Sequence, residues 1–178
     1  MEQGKFVQVA DTKTTDSCER FTERSGDEID VFVYSDTGDR LLATTRVPKA
    51  MVGEIAFLRV VEINQTGAFL DWGLPKELLL PYGEQKEHIE EGNFYSVFIH
   101  KDKYSQRAVA SQRLNRHIGK SPANYRSGEK VHIQVVSRTD LGYKAVVNNC
   151  HWGLLYENQV FKPLRRGLRT TAWVSRVV

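Results

Sequence analysis

Eight residues recur at a fixed spacing of 75 along this 178-residue chain: Gly53, Glu54, Val60, Val61, Gly67, Leu79, Leu80 and Gly92 return as Gly128, Glu129, Val135, Val136, Gly142, Leu154, Leu155 and Gly167. Average composition supplies roughly three identities over such a span. Three of the pairs are glycines, each opening a β run or sitting in a turn where a positive φ or a close backbone approach is plausible. A competing register sets Asp71-Trp72-Gly73-Leu74 against His151-Trp152-Gly153-Leu154, but it forfeits those glycine pairs, so the spacing of 75 is preferred. The chain is long enough for one ordinary domain or two to three small ones, and the repeat selects the small ones.

Within one unit the pattern is all-β. Ile55 to Ile63 reads as a long, mostly apolar strand. Ala68, Leu70 and Trp72 alternate with Phe69 and Asp71, which places the two sets on opposite faces. Leu78-Leu79-Leu80 is a short strand stopped by Pro81. Gly83 to Glu91 is polar and suits one or two helical turns, and strands follow near 94–100 and 107–113. Five short strands with one small helix between the third and fourth describe the OB barrel, which closes on itself and removes most exposed edges. A shorter repeat relates Val31–Asp36 to Val97–Asp102, each opening a hairpin.

The expected fold is therefore all-β, with tandem small five-stranded OB barrels of which the first and last read as incomplete. The boundaries fall at 1–49 (a divergent or reduced unit), 50–116 (a full barrel), 117–127 (a linker) and 128–178 (a third unit lacking its last strand). By the spacing, that last strand lies beyond Val178, so another segment or another chain is expected to complete the C-terminal barrel.

Composition and charge narrow the function. With 40% hydrophobic and 26% charged residues the chain is globular rather than disordered or rod-like. It holds no run of roughly 20 apolar residues for a membrane helix, and its start has no apolar run to serve as a signal peptide. Cys18 and Cys150 are far apart, so a cytoplasmic location is expected and a disulfide framework is not. The net charge is only +3, but it is segregated. Nine acids against three bases lie between Asp11 and Asp39, and eight bases against two acids between Lys101 and Lys130. Such segregation can attract a polyanion locally. His88, His100, His117, His132 and His151 show no metal-binding spacing. No phosphate loop or nucleophile elbow is present, and Glu84, Glu87, Glu90 and Glu91 read as a solvated face. No cofactor, no metal and no enzymatic activity are expected.

Val52-Gly53-Glu54, Thr66-Gly67-Ala68-Phe69-Leu70-Asp71-Trp72-Gly73 and Leu78-Leu79-Leu80-Pro81 resemble an S1-type RNA-binding domain. Together with Ala43-Thr44-Thr45-Arg46, Asp140-Leu141-Gly142-Tyr143-Lys144 and His151-Trp152-Gly153-Leu154-Leu155-Tyr156, they resemble the bacterial CvfB (conserved virulence factor B) family from about Val31 onward. In that family tandem S1-type domains precede a winged helix and the protein binds RNA. The present chain resembles the S1 portion only, and departs most before Glu28.

The resemblance implies a surface of two aromatics on strand two, a histidine after strand three, and an acid and a base in the last hairpin. Phe69 matches the second aromatic and Asp102 the acid. Arg107 lies near the basic position, Thr66 replaces the first aromatic and Pro81 the histidine. In the following unit Lys144 stands in the aromatic's place beside Tyr143, and Tyr156 takes the histidine's. Lys101, Lys103, Arg107 and Arg113 add charge on the hairpin that borders an OB groove. The expected partner is single-stranded RNA, stacked on Phe69 and held by phosphate contacts, in post-transcriptional regulation. The alternative is a protein-interaction scaffold of degenerate S1-type domains.

Overall fold

The computed structural model describes residues 6–10, 28–35 and 41–177. Most of the acidic run between Asp11 and Asp39, and the turn Asp36-Thr37-Gly38-Asp39, lie outside them. The described residues form strands and short 3-10 turns, with no α-helix. β1 (Phe6–Ala10), β2 (Glu28–Ser35) and β3 (Leu41–Thr44) make an antiparallel sheet in the order β1-β2-β3. Phe32 of β2 is buried and meets Trp72 edge-on, with ring centroids 6.3 Å apart.

The middle unit is a closed five-stranded barrel. β4 (Ile55–Asn64), β5 (Gly67–Asp71), β6 (Leu78–Pro81), β7 (Phe94–Lys101) and β8 (Ala108–Ser111) are arranged β4-β5-β6-β8-β7. β4 is long enough to pair with both β5 and β7, and a register shift between Val60 and Glu62 bends it to do so. A short parallel contact of Leu79 with Val109 closes the ring. Alternation turns Leu58, Val60, Ala68, Leu70, Leu78, Leu80, Val97 and Ile99 inward. Each large side chain so buried contributes about 1.5–3 kcal/mol. Trp72 joins this core, and its indole N–H donates to the Lys76 carbonyl at 2.7 Å. The helix expected between Gly83 and Glu91 is reduced to one 3-10 turn, Tyr82–Glu84.

The second copy follows the spacing of 75 strand by strand. β9 (Lys130–Thr139), β10 (Gly142–Val147), β11 (His151–Tyr156), a 3-10 turn at Glu157–Gln159 and β12 (Arg169–Trp173) repeat the order from β4 to β7. Gly53, Gly67 and Gly92 have φ of 92°, 153° and 84°, and Gly128, Gly142 and Gly167 have 82°, 143° and 83°. The hydrogen bonds repeat as well: Gly92 N–H donates to Val60 O at 2.9 Å, and Gly167 N–H to Val135 O at 2.8 Å. The sheet runs β11-β10-β9-β12 and stays open. No counterpart of β8 joins it among the described residues, so β11 and β12 are its edges.

The two copies touch through the outer side of β9 and β10. Ile55, Leu114, Ile118, Val136 and Val146 form a buried cluster with Phe98 and Trp152 packed against it. Arg166 pairs with Glu87 across the contact at 3.1 Å. Val136, Val146 and Trp152, outward-facing in their own sheet, are thereby covered.

Candidate nucleic-acid interface

Phe69 lies on the outer face of β5 because its neighbours Ala68 and Leu70 fill the barrel. Its ring is half-buried and belongs to none of the core clusters. The ladder places Glu62 on one side of it and Leu79 on the other. The row then continues through Val109 to His100. Arg107 directly precedes β8, at the foot of the same hairpin, and is half-buried. It stands two strand spacings from Phe69's strand, about 10 Å around the barrel. A flat aromatic ring and a guanidinium can meet a base and its phosphate.

The four expected hairpin bases part company. Lys101 pairs with Ala108 at the end of the barrel. Lys103 stands exposed at the hairpin tip beside Tyr104, which is 96% exposed. Tyr104 was not singled out by the sequence; its signal is an aromatic placed between Lys103 and Ser105 in an otherwise polar turn. Arg113 points to the opposite end, where its Nε–H donates to the Gly83 carbonyl at 2.8 Å. Asp102 caps its own turn: one carboxylate oxygen accepts from Ser105 N–H at 2.8 Å and Tyr104 N–H at 3.2 Å. These bonds hold its pKa below the ordinary carboxylate value. That carboxylate is therefore engaged in shaping the hairpin that presents Lys103, Tyr104 and Arg107.

In the second copy the outer face carries Lys144, Trp152, Leu154 and Tyr156. Lys144 Nζ sits 3.9 Å from the centre of the Trp152 ring, a cation-π contact. Tyr156 is exposed at the end of β11, in register with Gly142. Tyr143 turns the other way: it is 6% exposed, on the inner side with Ala145, with the Arg138 guanidinium 6.0 Å from its ring centre. Its ring is thus on the face away from Lys144.

Beyond Val109 the outer row reaches a group that sequence spacing does not suggest. Ligand-type atoms of Glu84, His100 and His117 all lie within 4.8 Å of one another. The His117 ring stacks on both Phe98 and His100, with centroids 4.6 and 4.7 Å away. Burial is the largest cause that lowers the His117 pKa, followed by the nearby His100. Glu84, expected on a solvated face, is half-buried; it accepts from Ser111 Oγ at 2.5 Å and from Arg116 at 3.2 Å. Among the described residues, no helix is long and apolar enough to cross a membrane.

Residues 22–46 and 52–113 match the family model of the S1 domain. A 57-residue stretch is 35% identical to conserved virulence factor B of Staphylococcus saprophyticus, covering 32% of this chain and 19% of that protein. A 55-residue stretch is 38% identical to the uncharacterized protein YitL of Bacillus subtilis, covering 30% of this chain and 18% of that protein. The chain thus spans less than a fifth of these curated relatives. Among solved structures, a multidomain protein with nucleic acid binding domains from Streptococcus pneumoniae aligns with a TM-score of 0.46 and 20% identity, over 98% of this chain and 65% of that one.

Proposed function

For a chain that carries an S1 domain and is similar to conserved virulence factor B, we propose a binding rather than a catalytic role: it holds single-stranded RNA on the outer face of the middle barrel. In this reading Phe69 stacks a base, while Arg107, Lys101 and Lys103 receive the neighbouring phosphates. Lys144 and the exposed Tyr156 offer a weaker second contact. Two weak modules on one chain gain affinity by linkage, which suits a cytoplasmic post-transcriptional regulator. With Thr66 and Pro81 in place of the family's other aromatic and histidine, affinity is modest and base discrimination small.

The observation that carries the reading is where the two copies meet. Their apolar contact covers Phe98 and Trp152 and leaves Phe69 outside. A scaffold would be expected to use Phe69 as packing area. The open edges of β11 and β12 favour that competing reading, since each offers unpaired backbone to another segment or chain.

Fluorescence anisotropy of labelled oligo-U and oligo-A decides between them, read from about 50 to 200 mM salt. Binding that weakens with salt and falls about 5- to 150-fold in Phe69→Ala, the equivalent of about 1–3 kcal/mol of stacking, supports RNA binding. No binding at the lowest salt sinks it and leaves the scaffold.

A further inference from the structure

We propose that Glu84, His100 and His117 form a site for a divalent transition-metal ion of the zinc class, which pins the linker to the barrel. The three ligands come from three segments: the 3-10 turn after β6, the end of β7, and the residue after the 3-10 turn Leu114–Arg116. Nothing in the RNA reading requires them to meet.

His100 carries the argument furthest. Its Nδ1 lies 3.0 Å from the carbonyl oxygen of Lys101. A carbonyl only accepts, so Nδ1 carries a proton, and in the neutral ring that tautomer leaves the lone pair on Nε2. That Nε2 is buried and has no hydrogen-bond partner. A buried acceptor left without a partner is costly, and a metal ion would satisfy it. Metal-bound histidines characteristically donate their other ring N–H to a carbonyl or carboxylate, the arrangement already present at His100.

Glu84 is prepared in the same way. Ser111 Oγ, fully buried, donates to Oε2 at 2.5 Å and fixes the carboxylate's orientation. The other oxygen, Oε1, accepts from Arg116 at 3.2 Å, and that arginine's side chain is 59% exposed. Arg116 can therefore swing into solvent and yield Oε1 to an ion. Two imidazole nitrogens and one carboxylate oxygen, with a fourth position left for water, are a donor set zinc accepts. Ligand atoms around a tetrahedral zinc are about 3.3 Å apart, given bonds of about 2.0–2.2 Å. One ligand atom from each of the three residues lies within 4.8 Å of the others, and rotation of the His117 ring out of its stack on His100 would bring the three onto one ion.

Because His117 also stacks on Phe98, which packs against the cluster shared by the two copies, an ion here would fix the linker where barrel and second sheet join. The test is titration of the full chain with cobalt(II), followed by zinc competition, in wild type, His117→Gln, Glu84→Gln and Arg116→Ala. The expected result is a tetrahedral cobalt spectrum displaced by zinc, with affinity reduced at least tenfold in His117→Gln and Glu84→Gln. Arg116→Ala alters only an exposed side chain, so it tests the site without threatening the fold, and it should bind more tightly than wild type. Absence of the tetrahedral spectrum in both wild type and Arg116→Ala overturns the proposal. Equal affinity in wild type and His117→Gln does so too.

Discussion

Gly67 and Gly142 occupy one backbone position in two copies of the same unit. Their φ values are 153° and 143°. In each, the point where a Cβ would stand is taken by backbone of the opposite strand: the Leu80 carbonyl in the barrel and the Leu155 carbonyl in the second sheet. That backbone cannot retreat without breaking the β5–β6 or β10–β11 ladder. Gly67→Ala is therefore expected to cost about 2–3 kcal/mol, read as a lowered urea midpoint, and Gly142→Ala a similar amount in the second sheet. Gly83→Ala is the control. A Cβ there meets nothing within 4 Å, so its midpoint should move little.

These glycines explain why so much of the fold could be read in advance. A glycine forced by backbone geometry survives at a fixed spacing even where side chains around it change, and the spacing of 75 proved to be the structural repeat. The outward placement of Phe69 was legible for a similar reason, since strand alternation is local. Asp102 was harder, because its carboxylate closes a turn whose hydrogen bonds depend on backbone conformation. Tyr143 and Lys144 are adjacent, and which of them faces outward depends on register, shifted by one residue after Lys144. The Glu84, His100 and His117 group was illegible, since its members are brought together only by barrel closure and the return of the linker.

The hairpin bases should separate by function in their salt response. Lys103→Ala and Arg107→Ala are expected to weaken oligo-U and oligo-A alike. Each should flatten the plot of log K against log salt by about 0.7, the increment of one single-strand phosphate contact. Tyr104→Ala should weaken binding with the slope unchanged, because a ring contributes stacking and no charge. Arg113→Ala should leave the slope alone and instead lower stability, since its Nε–H ties the end of β8 to Gly83.

Asp71 gives a pH dependence of defined sign. Lys49 Nζ lies 2.6 Å from its carboxylate, and this bond is the largest cause holding the Asp71 pKa below its ordinary 3.8, aided by the Gly73 N–H. A carboxylate with a lowered folded pKa contributes stability that is complete above the unfolded value and is lost as pH falls through the folded one. Urea unfolding should thus show stability insensitive to this group above about pH 5 and declining below 3.8. Both side chains are nearly half exposed, so the effect is small. Asp71→Asn should flatten the acid limb and leave the neutral-pH behaviour of other carboxylates unchanged.

Arg169 is the polar counterpart of the apolar contact between the copies. It starts β12, yet its Nη2 donates to the Ile55 carbonyl at 2.7 Å and its Nη1 to the Lys49 carbonyl at 3.3 Å, both belonging to the segment that enters the barrel. Its Nε donates to Gln134 Oε1 at 3.1 Å, orienting a side chain that is 4% exposed. Three donors held in one plane cannot be reproduced by a single ammonium, so Arg169→Lys should behave nearly as Arg169→Ala. Bonds to a charged donor contribute about 1.5–3 kcal/mol each when sheltered, and the arginine is partly solvated, so the expected loss is about 1–3 kcal/mol in all. In calorimetry the substitution should split one unfolding transition into two as the second sheet loosens from the barrel. A single transition at the wild-type temperature would show that the Ile55, Leu114, Ile118, Val136 and Val146 cluster alone couples the copies.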